Sequence, residues 1–101
     1  MATEAQMNLL ERLESELSKV GTIGVGRFGL LQKFMDVIKS VLGSIDLSVI
    51  TKDEFLAAVS TAYDSFIAPT VIASGGALLN TLLKGSVLHM AGIYYDNHSK
   101  K

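Results

Sequence analysis

Between Asp64 and Asp96 the only formally charged side chain is Lys84, and the stretch Phe66–Leu83 (FIAPTVIASGGALLNTLL) carries none. A run of this kind approaches the roughly 20 residues that cross a bilayer, and it has to be taken out of water somewhere. Its own chain, a second copy and lipid are the three places available. The chain has 101 residues, enough for one domain that buries about two thirds of its unfolded surface. A hydrophobic content of 49% and a mean hydropathy of +0.36 exceed what one small core absorbs. The expectation is a homo-oligomer, with membrane association of the region 66–95 as the alternative.

The rest of the chain reads as one-faced helices. Thr3-Glu4-Ala5-Gln6 has the form of a capping box, and Leu9, Leu10, Leu13, Leu17 and Val20 follow at helical spacing, with Gly21 placed to cap the end. Phe28, Leu31, Phe34, Met35, Ile38, Val41 and Leu42 form a second stripe, opposite Gln32, Lys33, Asp36, Lys39 and Ser40, and Gly43 ends it. Thr51-Lys52-Asp53-Glu54 is a second capping box, with Ile50 and Phe55 at the two positions of a hydrophobic staple. The third face is then Phe55, Val59, Ala62, Tyr63, Phe66 and Ile67, stopping near Ala68 because Pro69 disfavours helical geometry before it. Ser74-Gly75-Gly76 introduces a fourth helix that closes at Asp96-Asn97. The prediction is a single all-α domain, a bundle of about four helices over residues 3–19, 27–42, 52–68 and 77–95. In SIDLSVI (Ser44–Ile50) the apolar residues alternate as a strand would, although no partner strand can be read.

The fourth helix lacks a polar face. Ser74, Thr81, Gly85 and Gly92 fall on one narrow line of small residues, and Leu79, Leu82, Leu83, Met90, Ile93 and Tyr94 lie on the broad side opposite. Glycine inside a helix costs about 1 kcal/mol relative to alanine, so Gly85 and Gly92 suggest that another backbone approaches closely. Ser74, Thr81, Gly85, His89 and Gly92 are therefore the candidate interface residues.

Chemical signals are few. KVGTIGVGRFG (Lys19–Gly29) resembles the N-terminal NAD-binding loop of glyceraldehyde-3-phosphate dehydrogenases, typically KVGINGFGRIG, agreeing at Lys19, Val20, Gly21, Gly24, Gly26, Arg27 and Gly29. The resemblance implies a pyrophosphate over Gly24, Gly26 and Gly29, and a ribose held by an acid about 20 residues on, a spacing that Asp46 meets. The surroundings read otherwise: Val20–Ile23 emerges directly from a capped helix and is too short for the buried strand that such a loop follows. The family's catalytic cysteine has no counterpart, because the chain has no cysteine. The expected role of these glycines is an interhelical connection, and no cofactor is expected.

SVITKDEF (Ser48–Phe55) looks like the second half of an EF-hand loop with Glu54 at the calcium position, but Gly43, Ile45 and Leu47 stand where oxygen ligands are needed. His89 and His98 lack the i, i+4 spacing of metal ligands. Glu11, Glu14 and Glu16 read as a solvated helix face, and no nucleophile, base and orienting acid can be assembled. A net charge of −1, with pI near 6.0 and scattered basic residues, argues against a nucleic-acid groove. The acidic, polar N-terminus lacks the pattern of a secretion signal, so a cytoplasmic location is expected. The sequence thus points to a non-enzymatic interaction or assembly protein, without a small-molecule ligand, that self-associates through its last helix.

Overall fold

A computed structural model of the protein describes residues 4–19 and 27–99. Over them the chain forms α1 (Glu4–Ser18), α2 (Arg27–Leu42), α3 (Lys52–Phe66) and α4 (Ala68–Ser99), with no strand among the described residues. It is an all-α bundle of four helices, as the periodicity predicts. The proposed capping box at Thr3, the Gly21 cap and the glycine loop Gly21–Gly26 lie outside the described residues.

α1 and α4 each pack against both α2 and α3. The core follows from the stripes. Leu9, Leu13 and Leu17 of α1 are buried, as are Phe55, Ala58, Val59, Ala62 and Tyr63 of α3. The α2 stripe is turned slightly from its predicted position: Leu30 and Val37 are buried with Phe34, Ile38, Val41 and Leu42, while Leu31 and Met35 are only partly covered. A helix wedged between two neighbours buries a wider arc than one lying on a single surface, and this wider arc includes Leu30 and Val37. Phe34 and Tyr63 meet edge to face across the centre, ring centroids 6.1 Å apart at 69°.

The start of α3 forms as its residues dictate. Thr51 has extended backbone angles (φ −77°, ψ 162°), its hydroxyl accepts from the Glu54 N–H at 3.1 Å, and its own N–H donates to Glu54 Oε1 at 3.0 Å. Ile50 and Phe55 are both buried, and the Tyr95 hydroxyl donates to the Ile50 carbonyl at 2.7 Å, fixing the end of α4 over this corner. Thr51→Ala removes the cap acceptor and is expected to lower unfolding stability by about 1 kcal/mol, read as a shifted urea midpoint with unchanged slope.

Ser44–Ile50 is a turn. The Asp46 carboxylate accepts from both the N–H and the hydroxyl of Ser48, at 2.9 and 2.7 Å, and Val49 N–H donates to the Asp46 carbonyl at 3.3 Å. An aspartate two residues ahead of a serine offers the backbone this local alternative to a ladder, which decides the conformation when no second strand competes. The Ser48 hydrogen bonds hold the Asp46 carboxyl below its ordinary range.

Pro69 starts a helix as well as stopping one. α3 ends at Phe66, one residue intervenes, and α4 begins at Ala68 with Pro69 in its first turn, where a missing N–H breaks no ladder bond. Helical structure therefore begins at Ala68, well ahead of the predicted Ala77. The glycine pair is the point where α4 bends: Gly76 has φ 84° and ψ 172°, angles that essentially only glycine adopts. α4 consists of a short rod, Ala68–Gly75, and a long one, Ala77–Ser99.

Candidate functional site

The long rod of α4 sits on the bundle by a narrow strip. Val87, Ala91 and Gly92 are buried, and Leu79, Leu83, Leu88, Tyr94 and Tyr95 are partly buried against the core. Polar ties fix its rotation. The Tyr63 hydroxyl donates to Asn80 Oδ1 at 2.9 Å, Lys84 Nζ lies 2.8 Å from Asp64, and Lys52 Nζ lies 2.8 Å from Asp96. On the α2 side the Lys39 ammonium stands 4.8 Å above the Tyr94 ring.

With rotation so fixed, an apolar face points to solvent. Leu78 is 76% exposed and Leu82 61%; Met90 and Ile93, at 40% and 38%, continue the surface toward the C-terminal end. Leu78, Leu82, Gly85, His89 and Ile93 follow at i, i+4, i+7, i+11 and i+15, which is one face of a helix. Sequence reasoning places Leu82 and Ile93 on the broad side opposite the small residues. In the structure Leu79, Leu83 and Tyr94 turn inward, and Leu82 and Ile93 flank the glycine line on the outside. On a helix that is apolar all round, no polar stripe marks the solvent side, so only its neighbours in the bundle determine the rotation.

The five candidate interface residues divide into three groups. Thr81, Gly85 and His89 lie on the exposed face: the Thr81 hydroxyl is returned to its own helix at Ala77 O, 3.1 Å away, and a Cβ added at Gly85 meets nothing within 4 Å. Gly92 lies at the edge and is already covered, since a Cβ there would stand 3.4 Å from Lys52 Cε. Ser74 belongs to the short rod beyond the Gly76 bend, with its hydroxyl donating to Thr70 O at 3.0 Å, so it does not continue the line. Beside His89 a shallow groove of about 280 Å³ runs between α3 and α4, bounded by Leu56, Leu88 and the Lys52–Asp96 pair.

Other chemistry is sparse. A cavity of about 360 Å³ opens between α1 and the Ser44–Ile50 turn, with Leu9, Ile45 and Ile50 as its apolar wall and Arg12 and Asp46 at its polar side. Asp46, which the dehydrogenase resemblance would place on a ribose, is committed to Ser48 in this turn and follows no strand. Glu54 serves as the cap of α3, its carboxylate accepting from the Thr51 N–H. His98 lies with Lys39, Leu42 and Tyr94 on a different surface from His89, and among the described residues no group of three His, Asp or Glu is placed to hold a metal ion.

The Tyr63 phenol is pushed above its ordinary value, first by burial and then by the neighbouring Asp64 charge. A raised folded pKa makes a stability contribution that is complete below the unfolded value of about 10 and is lost as pH rises through the folded value. Stability is therefore expected to fall above about pH 10, and Tyr63→Phe should flatten that alkaline limb in denaturant midpoints taken across the pH range.

Compared with known proteins, the chain matches no family model, no curated sequence and no solved structure.

Proposed function

We propose that the protein is a small non-enzymatic assembly module that self-associates by packing the outer face of α4 against a second copy. The observation that carries this reading is the exposure of Leu78, Leu82, Met90 and Ile93 on one rigidly held helix. At 1.5 Å per residue the rod Ala77–Ser99 is about 34 Å long, about six turns that can lie along a partner helix. Gly85, open at the middle of that face, lets a partner helix approach more closely than any residue with a side chain would. A two-fold arrangement places the same patch on both copies and closes the assembly without leaving a sticky surface.

Membrane association is the second reading, and one observation favours it. α4 contains a window of mean hydropathy 1.4, of which only 11% is buried within the protein. Against it stand Lys84 and Asp96 on the same helix, both held in ion pairs with α3, and charges of this kind cost about 2.5–3.5 kcal/mol each near the bilayer centre. The two readings separate on solution mass. Self-association gives a multiple of the chain mass in plain buffer that mild detergent leaves in place or dissociates to one chain; membrane association gives a protein that stays dispersed only with detergent or lipid.

A further inference from the structure

Gly76 itself stands open at the bend, while beside it the Leu79 side chain lies against Gly75. A Cβ built on Gly76 meets nothing within 4 Å, and every residue from Ile72 to Leu78 is exposed. Beyond that contact, α4 is held in its bent course from farther off. On one side Ile67, Ala68 and Val71 are buried; on the other are Val87, Ala91, the Tyr63–Asn80 hydrogen bond and the two ion pairs. One glycine with torsions outside the helical region interrupts an otherwise helical chain from Ala68 to Ser99. A change at that single residue completes the hydrogen-bond ladder across the bend.

Completed, the helix of 32 residues is about 48 Å long. The longest dimension of the folded chain is 38 Å. A straight α4 therefore overruns the bundle: with Ala68 and Val71 kept in the core, Ala77–Ser99 no longer follows its bent course and leaves its seat on α2 and α3 empty. The molecule that fits this seat in every contact is the same segment of a second copy. An exchange recreates the Tyr63–Asn80, Asp64–Lys84, Lys52–Asp96 and Lys39–Tyr94 contacts between chains, so nothing is lost. There is also a gain at the crossing. Two exchanged hinges lie side by side, and the apolar residues that flank each one, Ile72 at 47% exposed and Leu78 at 76%, face those of the other copy. No charged side chain between Asp64 and Lys84 opposes that contact.

We propose that Gly76 is a hinge through which two copies exchange the segment Ala77–Ser99, the bent helix being the closed, unexchanged form. This inference rests on the reading that the protein self-associates: the outer face of α4 brings two copies together, and the exchange, which uses the inner face, takes place within that pair.

The absence of cysteine makes the test direct. Lys52 and Asp96 are in contact, so a chain carrying Lys52→Cys and Asp96→Cys, treated with a short bis-maleimide, links α3 to whichever α4 is docked on it. In the dimer fraction separated by size, exchange joins two chains on a denaturing gel; packing without exchange closes a loop within one chain. Adding Gly76→Ala, which resists the positive φ, is expected to make the linked pair of chains the main product. Internal links alone, in the dimer fraction with and without Gly76→Ala, overturn the hinge while leaving self-association intact. If the chain that keeps Gly76 forms no dimer, the proposed function fails, and the hinge is then decided by the Gly76→Ala variant: interchain links sustain it, and a monomer with internal links overturns it. Should Gly76→Ala not fold, the chain that keeps Gly76 is heated and cooled at high concentration before linking, and internal links alone again overturn the proposal.

Discussion

Replacing Tyr63 with alanine is expected to lower the unfolding stability of the protein by about 3–5 kcal/mol. The ring is fully buried at the centre of the bundle, in contact with Phe34, and its hydroxyl is the partner of Asn80 on α4. Deleting a buried aromatic ring costs about 3–5 kcal/mol, because transfer energy is lost and a cavity remains that a close-packed core fills only partly. Unfolding stability for a domain of this size lies at about 5–15 kcal/mol, so the loss takes about a fifth of it or more. The thermal midpoint followed by far-ultraviolet circular dichroism should drop by at least about 12 °C. Tyr63→Phe keeps the ring and removes only the hydroxyl, losing the bond to the partly buried Asn80 side chain at a cost of about 0.5–1.5 kcal/mol. The gap between the two variants separates packing from the α3–α4 hydrogen bond. Equal midpoints for Tyr63→Ala and the parent chain would refute the placement of this residue at the centre of the core.

The second large effect falls on association and leaves the fold alone. Leu82 is 61% exposed and projects from the outer face of α4, so Leu82→Lys should change stability by less than about 0.5 kcal/mol. If that face is covered by a second copy, the same substitution buries an ammonium group in each half of the interface without a partner. A penalty of at least about 3 kcal/mol, typical of a buried unpaired charge, corresponds to more than a hundredfold weaker association. Gly85→Leu attacks the same contact differently. The side chain has room in the free molecule, where a Cβ meets nothing, and takes the space that a closely packed partner helix requires. Gly92→Leu is a poorer probe, because its side chain first meets Lys52 of the same chain and disturbs the Lys52–Asp96 pair.

Much of the fold was legible in the residues, and the parts that were not have identifiable causes. The Thr51–Glu54 box, the Ile50–Phe55 staple and the α1 and α3 stripes are local patterns with one physical outcome, and the structure forms them. The alternation in SIDLSVI is equally local, but a strand needs a partner, and without one the Asp46–Ser48 hydrogen bonds prevail. Pro69 and the glycine pair mislead in opposite directions. Proline ends α3 and then tolerates the first turn of a new helix, while Ser74-Gly75-Gly76, which reads as a flexible lead, is helical up to a single bent residue. Least legible was the rotation of α4. Its inward and outward faces are both apolar, and the choice is made by Asn80, Lys84 and Asp96, whose partners Tyr63, Asp64 and Lys52 all come from α3. Leu82 and Ile93 therefore lie outward, beside Thr81, Gly85 and His89.

A rigid bundle that presents an apolar helix face outward should pair through it, and sedimentation equilibrium in detergent-free buffer reads that pairing as mass. The parent chain is predicted to move from 10.8 kDa at low concentration toward a multiple of that mass as concentration rises, while Leu82→Lys stays at 10.8 kDa throughout. A mass of 10.8 kDa for both chains across the whole range, or the same multiple for both, would contradict it.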